Sequence, residues 1–395
     1  MSNLKYAVGI DLAKKEFKAC LSVIDTQQKV TVKASSSFAN SPSGFAALLQ
    51  WVSKHGKEAL PVLYLMEATG IYYEPLAWFL YQKAQPLTVI LPNKAKKYLQ
   101  SLGLKSKNDR IDAQGLSRLA AQQQHRLWQP LSQQIYVLRS LTRLHQSLTQ
   151  HRTALSNQLQ ASEWSMYELK LVREGLSNAL ETIDKELLVL EKQIKQLIEQ
   201  DALLKDKYEK ISIIKGVGLL TFAVLVAETN GFELFENQSQ LVSYAGYDVV
   251  ENQSGNKVGK TRISKKGNTR IRRILYMPAL CAVTHQEPGL KALYERVYSR
   301  SGIKMKGYVA VQKKLLCLIY TLWKKDEKYD STFGQQPSTA SSNEEPKSLF
   351  AVVFEENPNV PPAKKKVAPA QARATQDKLP CNQSPEVFFR VGQSY

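Results

Sequence analysis

Apolar residues in the first 125 positions fall in short blocks separated by polar turns. Tyr6-Ala7-Val8-Gly9-Ile10 is a continuous apolar run that stops at Asp11, the pattern of a buried strand. Residues 17–24 and 30–34 predict two further strands, joined by the polar turn Asp25-Thr26-Gln27-Gln28. From Ser43 the spacing becomes helical, with Phe45, Leu48, Leu49 and Val52 on one face. Pro61-Val62-Leu63-Tyr64-Leu65-Met66 predicts a fourth strand, terminated by Glu67. Ala68-Thr69-Gly70 then turns the chain into a helix carrying Leu76, Phe79 and Leu80. Residues 87–91 predict a fifth strand, and a helix follows over 95–102. Another helix starts near Asn108 and carries Leu116, Leu119 and Ala120.

Three strands, helix, strand, helix, strand, helix is the order of a ribonuclease H-like α/β domain over residues 1–125. In that arrangement three antiparallel strands adjoin a parallel part of one sheet. The first and fourth strands are neighbours there, so Asp11 and Glu67 end adjacent strands. Asp109 and Asp112 share a helix face, with Lys107 and Arg110 around them. One account is local: Asn108 or Asp109 caps the helix, and Asp112 favours its positive end. The other is that a divalent cation relieves the repulsion between the two carboxylates. Singly, Asp11 reads as a strand-end turn and Glu67 as a helix-start charge. Together the four carboxylates suit two magnesium ions about 4 Å apart, able to activate an oxygen nucleophile and stabilise a leaving oxygen at phosphorus.

The pattern changes over residues 126–208. Leu138, Leu141, Leu144, Leu148, Leu155 and Leu159 recur at helical spacing, and Leu176, Leu180, Ile183, Leu187, Leu190, Ile194 and Leu197 alternate four and three. The second run is a coiled-coil seam. It fits an antiparallel hairpin within one chain, a dimerisation arm, or a spacer between two catalytic parts. Residues 209–325 form a mainly helical region. There Ile213-Ile214-Lys215-Gly216-Val217-Gly218 precedes a helix over 219–228, a helix-hairpin-helix-like element or simply a tight turn. A polar loop over 251–268 carries Lys257, Lys260, Arg262, Lys265 and Lys266. It leads into a helix predicted over 269–285 that begins with Arg270, Arg272 and Arg273. These cations suit phosphate binding; the alternative is a mobile, solvated basic loop. A break over 302–307 precedes an apolar-faced helix over 308–323. From 326 to 395 the composition turns to Pro, Ser, Gln and Ala with the cluster Lys364-Lys365-Lys366, which predicts a disordered tail.

Charge narrows the partners. The chain has 395 residues with 54 Lys+Arg against 35 Asp+Glu, a formal net charge of +19. Such an excess points to a polyanion, nucleic acid before membrane. The cysteines Cys20, Cys281, Cys317 and Cys381 form no Cys-x-x-Cys pair, which argues against a disulfide framework or zinc ribbon and fits a reducing cytosol. The N-terminal residues carry no signal-peptide pattern, and no apolar stretch reaches bilayer-spanning length.

Three blocks carry a resemblance: Gly9-Ile10-Asp11-Leu12-Ala13-Lys14, then Met66-Glu67-Ala68-Thr69-Gly70 with Tyr73 and Pro75, then Lys107-Asn108-Asp109-Arg110-Ile111-Asp112-Ala113. In this order they resemble the DEDD-type insertion-sequence transposases, whose N-terminal domain is similar to the RuvC Holliday-junction resolvase. Tyr244-Ala245-Gly246, Ser254-Gly255, the stretch from Arg262 to Asn268 and Leu275-Tyr276-Met277-Pro278-Ala279 resemble the C-terminal transposase domain of the same family. The resemblance spans roughly residues 5–325. It implies that Asp11, Glu67, Asp109 and Asp112 are an acidic tetrad binding Mg2+, and that Ser254 is a nucleophile that becomes joined to DNA, with Ser264 the competitor. It also implies target and donor double-stranded DNA as substrates, a structured non-coding guide RNA, and a homo-oligomer, dimer or tetramer, in which tetrad and serine come from different protomers. Two other activities fit the residues: a metal-dependent junction resolvase without a serine intermediate, and a non-catalytic nucleic-acid scaffold.

Overall fold

The computed structural model describes residues 2–56, 59–68, 70–103, 108–167, 169–251, 253–254, 257–259 and 261–330, with the backbone alone for 253, 254, 257 and 258. Lys107, Lys260 and the expected disordered tail beyond 330 lie outside the described residues. The N-terminal part runs β1 (Asn3–Leu12), β2 (Glu16–Asp25), β3 (Val30–Ala39), α1 (Pro42–His55), β4 (Val62–Glu67), α2 (Glu74–Gln82), β5 (Leu87–Ile90), α3 (Pro92–Ser101) and α4 (Asp109–Gln122). Its five-stranded sheet has the order β3-β2-β1-β4-β5. The β1/β2 and β2/β3 pairs are antiparallel, whereas β1/β4 and β4/β5 are parallel. This is the mixed ribonuclease H-like sheet that the strand pattern predicts.

Strand alternation sorts the sheet into two faces. Tyr6, Val8, Ile10 and Leu12 of β1 join Tyr64 and Met66 of β4 in a core with Phe45, Leu48, Leu76 and Leu80 from α1 and α2. Ala7 and Leu65 lie on the other face, against Leu116, Leu119 and Ala120 of α4. The edge strand β3 runs to Ala39, beyond the predicted end at 34, because its serines need no core. They ride on backbone pairing to β2, and Lys18 Nζ donates to Ser37 Oγ at 2.8 Å.

Helix α4 lies unusually close to β1. A Cβ on Gly9 would stand 2.0 Å from the Ser117 amide nitrogen and 2.3 Å from the Ala113 carbonyl oxygen. Those are backbone atoms and cannot swing away. The interface is also tied by a buried Ser22–Ser117 hydroxyl pair at 2.7 Å. Gly9→Val is therefore expected to destabilise the domain by roughly 3 kcal/mol or more, through overpacking that forces α4 off the sheet. Urea denaturation followed by circular dichroism checks this, and an unchanged midpoint would refute the close packing.

The rest is helical apart from short ladders. It comprises α5 (Gln133–Ser162), α6 (Lys170–Gln200), α7 (Ala202–Ile211), α8 (Leu219–Thr229), α9 (Gln238–Ala245), β6 (Val249–Val250), β7 (Gln253–Ser254), β8 (Lys257–Val258), β9 (Arg262–Ile263), α10 (Thr269–Ile274), α11 (Tyr276–Thr284), α12 (Pro288–Ser301) and α13 (Lys304–Lys325). Helices α5 and α6 form an antiparallel hairpin within the chain, cross-linked by His145–Glu191 at 3.1 Å and by the Arg152–Asp184 ion pair nearer the turn. Every seam residue from Leu176 to Leu197 is buried or half-buried. The seam thus serves an intramolecular contact. A second core gathers Leu138, Ile194 and Ile198 with α8, α9, α11 and α13.

Two predicted boundaries are corrected. The helix expected over 269–285 is two helices meeting at Leu275. Pro278 has no N–H for the Ile274 carbonyl, and its ring crowds that oxygen, so the first helix ends there. The break expected over 302–307 is confined to Gly302 and Ile303, while Gly307 sits inside α13, pressed against the Tyr294 ring. No helix among the described residues is long and apolar enough to cross a membrane.

Candidate active site

The sheet register places Ile10 beside Met66, so Asp11 and Glu67 come one step later on neighbouring parallel strands. Both continue the alternating series that faces α4. Gly9, two residues before Asp11, lies under Ala113, which Asp112 immediately precedes in α4. Three of the four predicted carboxylates therefore arrive at one end of one sheet face, half-buried. Asp109 is exposed in the same first turn as Asp112. The helix cap is Asn108, whose side chain accepts from the Ile111 amide at 2.9 Å, so neither aspartate is needed as the cap. Among the described residues no three His, Cys, Asp or Glu side chains stand close enough to hold one ion. The donor set is oxygen only, the chemistry of magnesium or manganese rather than zinc. The donor chemistry fits that cation class, while among the described residues the side chains as they stand do not close on one ion.

One residue missed by sequence reasoning braces this site. Asn40 Nδ2 donates to the Ala13 carbonyl at 3.2 Å and to the Tyr72 carbonyl at 3.1 Å. It ties the loop after Asp11 to the loop after Glu67. Only its place at the strand–helix junction before the Ser41 cap marks it, a weak signal.

The Ser254 candidate lies on a hairpin with a well-defined foot. Asn268 N donates to Tyr244 O at 2.7 Å, Lys265 N to Gly246 O at 3.1 Å and Ser264 N to Asp248 O at 2.7 Å. The β6/β9 ladder pairs Val249 with Ile263, and β7/β8 pairs Ser254 with Lys257. Ser264 Oγ accepts from the Lys266 amide at 3.3 Å, a turn-closing contact. Within the stretch read as a polar loop, the described residues thus form two short ladders. Lys265 is held at φ +54°, a conformation that costs a non-glycine residue roughly 1–3 kcal/mol and persists where its surroundings determine it.

The cations divide by partner. Arg110, Arg262, Lys265, Lys266 and Arg273 are exposed, and Lys257 is described by its backbone alone. Arg272, predicted to bind phosphate, is engaged by the protein's own backbone. Its guanidinium donates to the carbonyls of Ala245 at 2.6 Å and Lys265 at 3.1 Å, so it fastens the hairpin foot. Lys215 lies 3.9 Å from the buried Glu287 carboxylate, which balances part of its charge. Beside it, Gly216 has φ +91°, and a Cβ there would meet Cys281 at 2.8 Å. Gly216, Gly218, Arg270 and Arg273 line a groove of about 820 Å³ whose far wall is α5.

Glu228 is the second residue that sequence reasoning missed. The signal was a lone carboxylate in an otherwise nearly all-apolar helix. Only 1% exposed, it receives Arg143 Nε at 2.8 Å and Nη2 at 3.1 Å on its two oxygens, and Asn268 Nδ2 at 2.8 Å. Burial pushes its carboxyl up, but the Arg143 fork and the Asn268 hydrogen bond outweigh burial and hold it below the usual range. A lowered folded value means that its contribution to stability is complete above an unfolded value of about 4.3 and fades as pH falls through the folded one. The stability gap between wild type and Glu228→Gln should therefore shrink on acidification below about pH 4. Denaturation series at several pH values measure it, and a gap that widens on acidification would refute the ion pair.

Comparison with known proteins adds relatives at both ends. A DEDD transposase model of IS110 type matches residues 8–162, and a model described as transposase, IS116/IS110/IS902 family, matches residues 208–295. The pilin gene-inverting protein of Moraxella bovis is 28% identical over 327 residues, covering 82% of this chain and 98% of that protein. The transposase for insertion sequence element IS1111A of Coxiella burnetii is 27% identical over 274 residues, 62% of this chain and 73% of that protein. Among solved structures, Thermus thermophilus RuvC in complex with a Holliday junction substrate aligns with 29% of this chain and 90% of its own, at 13% identity and a TM-score of 0.23.

Proposed function

We propose that the chain, which two transposase family models match over residues 8–162 and 208–295, is a transposase of the IS110/IS116 type that cleaves and rejoins DNA, and that it does so through an ester between Ser254 and a DNA phosphate, served by Asp11, Glu67, Asp109 and Asp112. The observation that carries this is the common end of the sheet, where Asp11 and Glu67 stand on adjacent parallel strands facing the first turn of α4. These oxygen donors would hold Mg2+, which would lower the cost of charge on the attacking and leaving oxygens. Ser254 Oγ bonds to phosphorus as the bond from phosphorus to the departing strand breaks. The serine proton ends on that strand, which leaves as a hydroxyl. Attack by a second strand's hydroxyl reverses the step and returns the proton to Ser254, so no oxidant or net water is consumed.

The net charge of +19 and the groove that joins Gly216 and Gly218 to Arg270 and Arg273 support target and donor DNA as partners, with a structured non-coding RNA as guide. A homo-oligomer, dimer or tetramer, is supported by the tip of the α5/α6 hairpin. Trp164, Met166 and Leu171 there are 91%, 88% and 82% exposed, although the seam itself is used within the chain. The test is recombination by purified protein with the RNA encoded by its element and divalent metal, analysed on denaturing gels. A protein–DNA adduct lost on chelation is the expected result. Products without an adduct would favour a junction-resolvase mechanism, and activity that survives chelation would exclude the carboxylate site.

A further inference from the structure

We propose that Glu228 is a positioning residue that fixes the serine-bearing hairpin to the long helix α5, an inference that rests on Ser254 as the nucleophile. Its side chain joins three segments distant in sequence. Arg143 belongs to α5, Glu228 is the penultimate residue of α8, and Asn268 is the residue from which α10 departs after the hairpin. The other foot of the hairpin meets the same point: Tyr244 Oη donates to the Glu228 carbonyl at 3.1 Å, and Asn268 Nδ2 lies 3.3 Å from that hydroxyl. Arg139 Nε adds a second tie from α5, to the Ala227 carbonyl at 3.0 Å.

Asn268 has no choice of orientation. Its Oδ1 accepts from the Arg270 amide at 2.9 Å and the Ile271 amide at 3.3 Å, which leaves Nδ2 for Glu228. The carboxylate therefore sets the amide plane, and the amide sets where the chain leaves the hairpin. Stability alone does not demand this chemistry, because apolar replacements of buried ion pairs are often neutral or stabilising. An ion pair provides direction instead: the two oxygens accept a guanidinium fork and a third donor from Asn268. A change in the lie of α5 is passed through Arg143 and Glu228 to both feet of the hairpin.

The experiment compares wild type, Glu228→Gln and the apolar pair Arg143→Met/Glu228→Met in the full-length protein. Three quantities are read: adduct formation at saturating DNA, DNA-binding midpoint, and hydrogen exchange at the Lys265 and Asn268 amides. Glu228→Gln is expected to slow adduct formation by roughly 10–100-fold, the scale of misplacing a reacting group by about 1 Å. Its binding midpoint should stay within about twofold, as no phosphate contact is removed. Both amides should exchange faster. The apolar pair should recover thermal stability without recovering the adduct rate. Recovery of both would mean that the ion pair only fills the core, and a wild-type rate in Glu228→Gln would overturn the proposal outright. Should wild type itself form no adduct, the serine assignment fails separately. Exchange then decides whether Glu228 holds the hairpin, and unchanged protection in Glu228→Gln refutes it.

Discussion

Asp112→Asn is expected to lower DNA strand cleavage by roughly 10²–10³-fold, the scale of losing a principal electrostatic group at a reacting centre, while leaving the fold in place. Asparagine keeps the size and shape of aspartate, and Asn108 already caps α4, so the helix start survives. What goes is the negative charge and one of two equivalent oxygens, and with them the capacity to bridge cations. The local account of Asp112, a carboxylate favoured at a helix N-terminus, predicts a loss of only about 0.3–1 kcal/mol of stability and normal cleavage. The two accounts thus differ in cleavage, not in stability. Cleavage of labelled substrate, a denaturation midpoint and DNA binding on the same preparation separate them. Asp11→Asn and Glu67→Gln should behave alike, because the β1/β4 register gives them equivalent places on adjacent strands. Normal cleavage in Asp112→Asn would remove α4 from the site.

The sheet is legible in the sequence because its strands are apolar runs closed by a charge or a turn. Asp11 and Glu67 stand out as the polar residues that end two such runs. Strand order then suffices to make them neighbours. Illegible from spacing was the face on which they meet. That follows from Gly9, whose missing side chain admits the α4 backbone, and a glycine within an apolar run is easily taken for an ordinary strand residue. The roles of Arg272 and Glu228 were hidden for a different reason. Composition marks Arg272 as one more cation in a basic stretch, yet its direction depends on carbonyls at 245 and 265 that only the folded hairpin gathers. Glu228 has partners more than 35 residues away on either side, at 143 and 268, so no local pattern announces it. The break at Leu275 was within reach, since Pro278 carries it, but the apolar periodicity of the whole segment masks the proline.

Ser254→Ala is expected to abolish the covalent protein–DNA adduct completely, and Ser264→Ala to retain it. The two serines lie on one hairpin ten positions apart, so the comparison holds DNA, metal and assembly constant. Ser264 has a legible local task, accepting the Lys266 amide while its own amide closes on Asp248. Removing that hydroxyl costs about 1 kcal/mol, the net value of one hydrogen bond, and leaves the backbone closure intact. Alanine at 254 would instead remove the oxygen proposed to bond to phosphorus, and with it the ester. Chelated wild type provides the matching control: metal loss should stop adduct formation in a protein that still has its serine, whereas Ser254→Ala should stop it in a protein that still has its carboxylates. In the proposed oligomer the two defects are complementary. Mixed oligomers of Ser254→Ala and Asp112→Asn subunits should regain some adduct if each site draws its serine and its carboxylates from different chains, and none if every site is built from one chain. Loss of the adduct in Ser264→Ala with its retention in Ser254→Ala would transfer the nucleophile to Ser264 and make the β7/β8 pair a supporting ladder.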